Sequence, residues 1–381
     1  MNPFITKEHD TLREIVRDFA EKEIKNIASY LDEKEEFSTH LTKRMGELGL
    51  FGIYLPEKYG GQGKDYLSLL IAVEEIARID ASQASTLAAH NSLGIGPIYY
   101  FGSEDQKRKY LPKLTTGNHV WAFGLTEDNA GSDSRGTESK AMLENEKWLI
   151  NGTKRFISNA SSDSSLGVSL QVATGENNGK KELSAILVDR CTDGFSAVPL
   201  KGKMMWRASD TALLKFKDCR VPKENLLGEL GEGSKIMLKT LDSGRLTIAA
   251  MGLGLAQGAY EMALKYANQR EQFGKPIAKF QAIGFKLADM ATKIEAARNL
   301  LYKACWLKDN KHPFAKEAAM AKLFCSEVAQ EVANEAVQIH GAYGLVKESE
   351  IERFYRDQRI LQIGEGTSEI LRLVISKHIG C

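Results

Sequence analysis

Long apolar runs are missing from this 381-residue chain. The nearest approach lies around Leu246–Ala256, too short to cross a bilayer, so no membrane span is expected. Cysteine is sparse: Cys191, Cys219, Cys305, Cys325 and Cys381 lie far apart, are odd in number and form no CxxC pair. That pattern argues against a disulfide framework and a zinc ribbon, and for a reducing compartment. The opening residues MNPFITKEHD lack the apolar core of a signal peptide, so a cytoplasmic location is expected. Excess charge of either sign is also absent. Lys and Arg number 51 against 50 Asp and Glu, a net charge of +1, so the footprint of a nucleic-acid binder is missing. The seven histidines show no HxxxH or HExxH spacing, which speaks against a metal site. No GxSxG nucleophile elbow exists. Proline is scarce, 8 against 33 glycines. Such a surplus means turns, tight helix contacts, or a cofactor pressed against backbone.

What is present reads as a multidomain α+β protein, since the length suggests two to three domains at about 150 residues each. Residues 1–120 read as helices, among them amphipathic Phe4–Lys25 and apolar Leu67–Ile79, with a turn at Tyr59–Gly63 and punctuation at Pro97 and Pro112. Residues 121–228 read as an antiparallel, barrel-like β-domain. There Trp148–Ile150 and Arg155–Ile157 flank Asn151-Gly152, a hairpin-turn signal. Leu166, Val168, Leu170 and Val172 alternate like a half-buried strand. A turn at Asn177-Asn178-Gly179 leads into Leu183–Val188, and Ala212–Phe216 reads as a further strand. Residues 229–381 read as a C-terminal four-helix bundle. Met290, Ile294, Ala297, Leu301 and Ala304 keep helical spacing, as do Val328, Val332, Ala336 and Ile339. Gly252-Leu253-Gly254-Leu255-Ala256-Gln257-Gly258 imitates a dinucleotide loop. It lies inside a helical pattern rather than after a strand, so small residues for close helix packing explain it better.

Three segments have the makings of chemistry. Phe123–Asp133 is a small polar turn, read either as a cradle for a phosphate or flat heterocycle or as an ordinary Asx-type turn. In Arg270–Pro276, Arg270 and Phe273 suit a phosphate clamp and a ring stack, or Gly274 and Pro276 simply end a helix. In Gln362–Glu369 a carboxylate, Glu365, stands between Gly364 and Gly366. Glycines there let a substrate approach closely, and Thr367 or Ser368 suits a helix cap. A helix start favours the charged carboxylate, apolar burial the neutral one, and a general base needs a balance. A loop glutamate without a role is the other reading.

These segments, in this order, resemble the acyl-CoA dehydrogenase family, and the likeness covers nearly the whole chain. Leu125-Thr126-Glu127 with Ala130-Gly131-Ser132-Asp133 resembles one family signature; Arg353–Ile370, with Tyr355-Arg356-Asp357 and Gly364–Ser368, resembles the other. Tyr99–Leu111, Trp206–Thr211, Arg270–Gly274 and Gln338–Gly344 also match. The resemblance implies a helical domain, a β-domain and a four-helix bundle. It also implies FAD-dependent oxidation of an acyl-CoA to the trans-2-enoyl-CoA: a carboxylate takes the α-proton while the β-hydride passes to flavin N5. Hydrogen bonds from the flavin ribityl hydroxyl and the backbone N–H of the base steady the developing enolate. An electron-transferring flavoprotein is the implied acceptor.

Position by position, the resemblance makes Glu365 the catalytic base. Some relatives carry the base just before the arginine of the Asp242–Arg245 segment; here that position is Gly244. Phe123, Leu125, Thr126, Ser132, Thr367 and Glu369 match flavin-side positions, and Phe156, Ile157 and Ser158 match a Trp-Ile-Thr of many relatives. Arg270, Phe273, Gln281, Gln338 and Gly341 match residues that hold the ADP half of FAD across a subunit interface, which implies a homotetramer. Ser132, Asp242, Arg245, Gly364 and Gly366 match substrate or CoA contacts. Asp128, Met205 and Ala342 depart from the family pattern, at loop and interface positions.

Many straight-chain enzymes of the family have a tyrosine before the base, where this chain has Gly364. A short to medium acyl group, with room for branches or rings, is therefore expected, in fatty-acid or branched-chain acyl metabolism. The segment Ala81–Ala89 lacks the arginine of glutaryl-type enzymes, which disfavours a dicarboxylyl substrate. Rival readings are an oxidase-like or desulfinase-like relative and a non-catalytic flavoprotein.

Overall fold

The computed structural model describes residues 3–177 and 179–381, so Asn178 of the expected turn lies outside the described residues. The chain opens with α1 (Lys7–Phe19), whose start is fixed by a capping box between Thr6 and His9. It does not stop near Lys25. A wide π-type turn, Ala20–Ile24, carries it straight into α2 (Lys25–Lys34). Ser38, Asp65 and Asp80 then cap α3 (Thr39–Glu47), α4 (Tyr66–Ala77) and α5 (Ala81–Ala89) with their side chains. Every residue of α4 is buried, which explains its all-round apolar composition. A second wide turn, His90–Ile95, leads to α6 (Gly96–Phe101), and α7 (Glu104–Leu114) follows behind a Ser103–Gln106 capping box.

The middle of the chain forms one eight-stranded sheet: β1 (Val120–Gly124), β2 (Lys140–Glu144), β3 (Lys147–Ser158), β4 (Ser165–Asn177), β5 (Lys180–Asp189), β6 (Phe195–Pro199), β7 (Thr211–Pro222) and β8 (Leu226–Leu227). Its order is β6-β7-β3-β2-β4-β5-β8, with β1 on β4. The sheet is open, so "barrel-like" describes its shape only loosely, and it is not wholly antiparallel. One edge of β4 takes β1 in parallel along Ser165–Leu170 and touches β2 in parallel at Ala173.

Two local expectations fail for physical reasons. Asn151-Gly152 does not turn the chain; β3 runs through it, and Gly152 at φ +147 sits at a register shift against β7. A side chain at Gly152 would strike Ser139 Oγ at 2.3 Å, so the glycine serves a bulge and a close approach. The turn belongs to Asn145-Glu146, both left-handed at φ +48 and +61, joining β2 to β3. Strand β4 is not half-buried either. Residues 167–172 are all buried, because Ser169 accepts from Trp121 Nε1 and Gln171 donates to Ser134 O and Thr137 Oγ1 on the face opposite the sheet core.

After the sheet come α8 (Gly233–Gln269), a two-residue hairpin of β9 (Glu271–Gln272) and β10 (Lys275–Pro276), α9 (Gln281–Asp309), α10 (Ala315–His340), short α11 (Ile351–Asp357) and α12 (Ser368–Ile379). The spaced apolar residues of α9 and α10 are buried as expected. The glycines of α8 admit neighbouring backbone: a Cβ on Gly254 would lie 2.2 Å from Glu74 O, and one on Gly258 2.1 Å from Arg78 O. Helix α8 therefore lies directly on α4, and the N- and C-terminal helices share one apolar core. Among the described residues no helix is long and apolar enough to cross a membrane.

Candidate active site

Glu365 stands in the loop between the 3-10 stretch Gln358–Gln362 and α12. It is left-handed at φ +53, and Gly366 follows at φ +98. For a residue with a side chain that conformation costs on the order of 1 kcal/mol and persists only where surroundings enforce it. Four hydrogen bonds do so. Upstream, the N–H groups of Ile363 and Gly364 both donate to Ile360 O. Downstream, Thr367 Oγ1 accepts from Ile370 N–H and caps α12. At the centre, Lys322 of α10 donates from Nζ to Gly366 O at 2.7 Å.

The residue keeps some surface, but its Oε2 is sealed from solvent and has no hydrogen-bond partner among the described residues. That oxygen occupies a notch in α8 left by Gly244, where a Cβ would lie 2.0 Å from it and 3.0 Å from Leu93 Cδ2. Burial pushes the Glu365 carboxyl up to about 7, against the pull of the Lys322 ammonium and the Arg245 guanidinium. Of the two opposed influences expected at this loop, burial dominates. Arg245 is itself buried and donates to Asp242 Oδ1 at 2.7 Å, one turn back on α8. A partnerless carboxylate poised near neutrality is the arrangement that accepts a proton from a C–H placed against it.

The glycines around Glu365 divide their work differently from expectation. Gly366 meets nothing closer than 3.6 Å, so its left-handed φ is the reason for glycine there. Gly364 is likewise open, with Ile360 at 3.6 Å. The clearance that the carboxylate needs comes from Gly244.

A second group lies where β1 and β3 end. Phe123 and Leu125 are buried. Lys154 of β3, fully buried, donates to Leu125 O and pairs with Glu127 at 2.7 Å. Arg155 N–H donates to Thr126 O, which lays residues 125–127 along β3. Phe156, left-handed at φ +60, breaks the pairing with β7 and leaves its ring 64% exposed. Ile157 is buried and Ser158 half-buried beyond it. The stretch 127–130 is closed by backbone bonds in both directions between Glu127 and Ala130, so it is a tight turn, with Ser132 exposed just after it. A flavin needs a flat contact face and polar groups at its rim. Phe156 offers an exposed ring, and Thr126 and Ser158 offer hydroxyls on the two segments joined by the Arg155 N–H to Thr126 O bond, so these residues fit the cofactor.

A third group gathers at the far end of the bundle. Helix α8 ends at Gln269 without help from Gly274 or Pro276, so the alternative reading of these two as a helix cap fails. Instead Phe273 and Gly274, at φ +52 and +76, form the tip of the β9–β10 hairpin, and Phe273 is 93% exposed. Arg270 lies 5.8 Å over the Tyr343 ring, just past Gly341, where α10 stops at φ +60. Gln281 and Gln338 are exposed at the ends of α9 and α10. Along α8, Arg270 is about 37 Å from Arg245 at 1.5 Å per residue, so this group is not brought to Glu365 of its own chain. Thr367 caps α12, while Glu369 is exposed beside it.

Lys322, Lys154 and Leu93 were not legible as site residues. Signals for the lysines did exist. Lys322 falls on the buried stripe of Ala318, Ala321, Cys325 and Ala329, and Lys154 shares strand parity with buried Trp148 and Ile150.

Comparison with known proteins bears on the whole chain. The family models described as acyl-CoA dehydrogenase N-terminal, middle and C-terminal domains match residues 6–118, 122–219 and 231–380. A probable acyl-CoA dehydrogenase of Bacillus subtilis is 49% identical over 380 residues, covering 100% of both chains. The short-chain specific acyl-CoA dehydrogenase of rat mitochondria is 47% identical over 97% of this chain and 90% of its own. The structure of butyryl-CoA dehydrogenase from Megasphaera elsdenii superposes with a TM-score of 0.95 at 42% identity, covering 98% of each chain.

Proposed function

The chain belongs to the acyl-CoA dehydrogenase family, and on that premise we propose that Glu365 is its catalytic base, acting on an acyl-CoA held against the Gly244–Arg245 turn of α8. The protein is an FAD-dependent oxidoreductase that converts an acyl-CoA thioester to the 2-enoyl-CoA. The observation that carries the assignment is the sealed, partnerless Oε2 in the Gly244 notch. Bound FAD supplies the acceptor for the β-hydride. The chain's own residues do the rest. Glu365 receives the α-proton, its backbone N–H faces the thioester carbonyl, and the Asp242–Arg245 pair orients the CoA portion. Phe123, Leu125, Thr126, Ser132, Phe156, Ile157, Ser158, Thr367 and Glu369 hold the flavin side.

The acyl group in this reading is short to medium, with room for a branch or ring. Support comes from Gly364, which has nothing closer than 3.6 Å, and from short-chain and butyryl-CoA relatives. Helix α5 carries no charged side chain, so a distal carboxylate finds no cation there. Domain boundaries at 120/121 and 228/229, a cytoplasmic location, and an electron-transferring flavoprotein as acceptor complete the proposal. A homotetramer is part of it. The exposed Arg270, Phe273, Gln281, Gln338 and Gly341, remote from their own chain's Glu365, are suited to the FAD of a neighbouring subunit.

One experiment tests the core: anaerobic flavin bleaching by butyryl-, isobutyryl-, isovaleryl- and cyclohexanecarbonyl-CoA, in the wild type and in Glu365→Gln. Bleaching by short and branched substrates is expected, with a loss of at least about 100-fold in the variant while FAD stays bound. Unchanged bleaching in the variant removes Glu365 as base, and a strong preference for long straight chains removes the substrate reading. Peroxide formed in air, or sulfite release, would point to the oxidase or desulfinase alternatives; a protein that no acyl-CoA bleaches would be a non-catalytic flavoprotein.

A further inference from the structure

Lys322 has an unusual position for a lysine. Its side chain is fully buried in α10, on a stripe otherwise made of Ala318, Ala321, Cys325 and Ala329. A buried ammonium is costly unless it is paired or hydrogen-bonded, yet among the described residues Lys322 makes no ion pair within 4.0 Å. Its one hydrogen bond goes to Gly366 O at 2.7 Å. That carbonyl follows Glu365, in a turn of two consecutive left-handed residues. Of the contacts that hold this turn, those of Ile360 and Thr367 act at its ends, and only the lysine grips its middle.

We propose that Lys322 is a positioning residue for the proton-abstraction step, fixing the Glu365–Gly366 turn through the Gly366 carbonyl and holding the Glu365 carboxylate in its charged form. The inference rests on the reading of Glu365 as base. Its physical content is twofold. The bond to Gly366 O keeps the carboxylate aimed into the Gly244 notch rather than swung toward solvent. The positive charge, close behind a carboxylate with no hydrogen-bond donor of its own, opposes the burial that would otherwise protonate it. Glu365 is the first of the carboxylates favouring the charged lysine, ahead of Glu369, while Arg245 opposes. Burial pushes that lysine down to about 8, with the Glu365 carboxylate resisting the fall. Lysine and base thus support each other's ionised forms. Sequestration inside the bundle keeps the ammonium out of the way of the substrate.

Two variants separate the roles. Lys322→Met keeps the apolar stem and removes both donor and charge; Lys322→Gln keeps a donor for Gly366 O and removes the charge. Each holoenzyme is examined by stopped-flow flavin reduction with butyryl-CoA across pH 5.5–9, together with FAD content and the Kd of a non-reducible acyl-CoA analogue. In Lys322→Met the limiting reduction rate is expected to fall by at least about 10-fold and its apparent pKa to rise by about 1 unit. FAD content and analogue Kd stay within about twofold of wild type, a split that general loosening of the fold would not give. In Lys322→Gln the same rise in pKa is expected with a smaller loss of limiting rate. Wild-type rate and pKa in either variant that retains FAD overturn the proposal. Should Lys322→Met lose FAD, Lys322→Gln decides the charge role alone. Glu365→Gln distinguishes the two failures: if it reduces flavin normally, the base assignment falls, whereas an inert Glu365→Gln beside an unaffected Lys322→Met removes only the lysine's role.

Discussion

Glu365 combines three features that protein folding disfavours: a left-handed backbone, a carboxylate oxygen sealed from water, and no hydrogen-bond donor to that oxygen among the described residues. Their coincidence in one residue is the signature of a group kept for chemistry rather than stability. Its pKa near 7 has two measurable consequences. In the proposed role Glu365 works only when ionised, so the rate constant for flavin reduction at low acyl-CoA concentration is expected to rise with pH through about 7. The effect on stability has the opposite sign. A carboxyl whose folded pKa is raised stabilises the fold at low pH and loses that contribution as pH rises through 7. Glu365→Gln, free of this penalty, is therefore expected to melt above wild type at pH 8 and close to it at pH 4.5, as differential scanning calorimetry would register. The residue was legible in the sequence because flanking glycines mark a carboxylate exceptionally. Lys322 was not, because its hydrogen-bond partner, the Gly366 carbonyl, lies 44 residues downstream.

At the level of elements, α8 decides most of the site. Its glycines look alike in sequence and act differently. Gly254 and Gly258 let carbonyls at α4 in, whereas Gly244 makes room for the Glu365 carboxylate. Gly244→Ala isolates this. Alanine favours a helix over glycine by about 1 kcal/mol, so the variant is expected to fold with an unchanged or higher Tm. Its methyl would meet the Glu365 carboxylate and Leu93, displacing the base, so the flavin reduction rate is expected to fall by at least about 10-fold. A loss of Tm with normal reduction kinetics would contradict the notch. The elements that were misread share a cause. Asn151-Gly152 looks like a hairpin turn and Gly274 like a helix stop, because local propensity is silent about what lies across the strand or beyond the helix. Ser139 facing Gly152, and the return of Lys275–Pro276 on Glu271–Gln272, settle both.

Across the whole molecule, the order of helices, sheet and helices was readable from shifts in hydrophobic period. The joins between them were not, since they depend on residues far apart in the chain. Arg353 of α11 forms a buried ion pair with Asp80 before α5, and Asp357 accepts from Trp206 N–H at 2.7 Å in the loop between β6 and β7. Arg356 reaches both Asp32 and the carbonyl of Met204. Short α11, noticed in the sequence only through its likeness to a family signature, thereby ties all three parts of the chain together. Burial and neighbouring Asp80 push the Asp357 carboxyl up to about 7, so the latch is itself a partly uncompensated burial.

The length of α8 has a genetic consequence. One helix carries the carboxylate notch near its start and leads at its end into the Arg270–Phe273 hairpin, proposed to hold a neighbour's FAD, so in the proposed oligomer each reaction centre draws on two copies of the gene. Two broken alleles should then repair each other. A chain with Glu365→Gln keeps its grip, and a chain with Arg270→Ala and Phe273→Ala keeps its base. Refolded together with FAD, they are expected to give activity that neither gives alone, from hybrid sites in which an intact base meets an intact grip. Absence of activity in hybrids purified with two different affinity tags would show that each chain serves only itself.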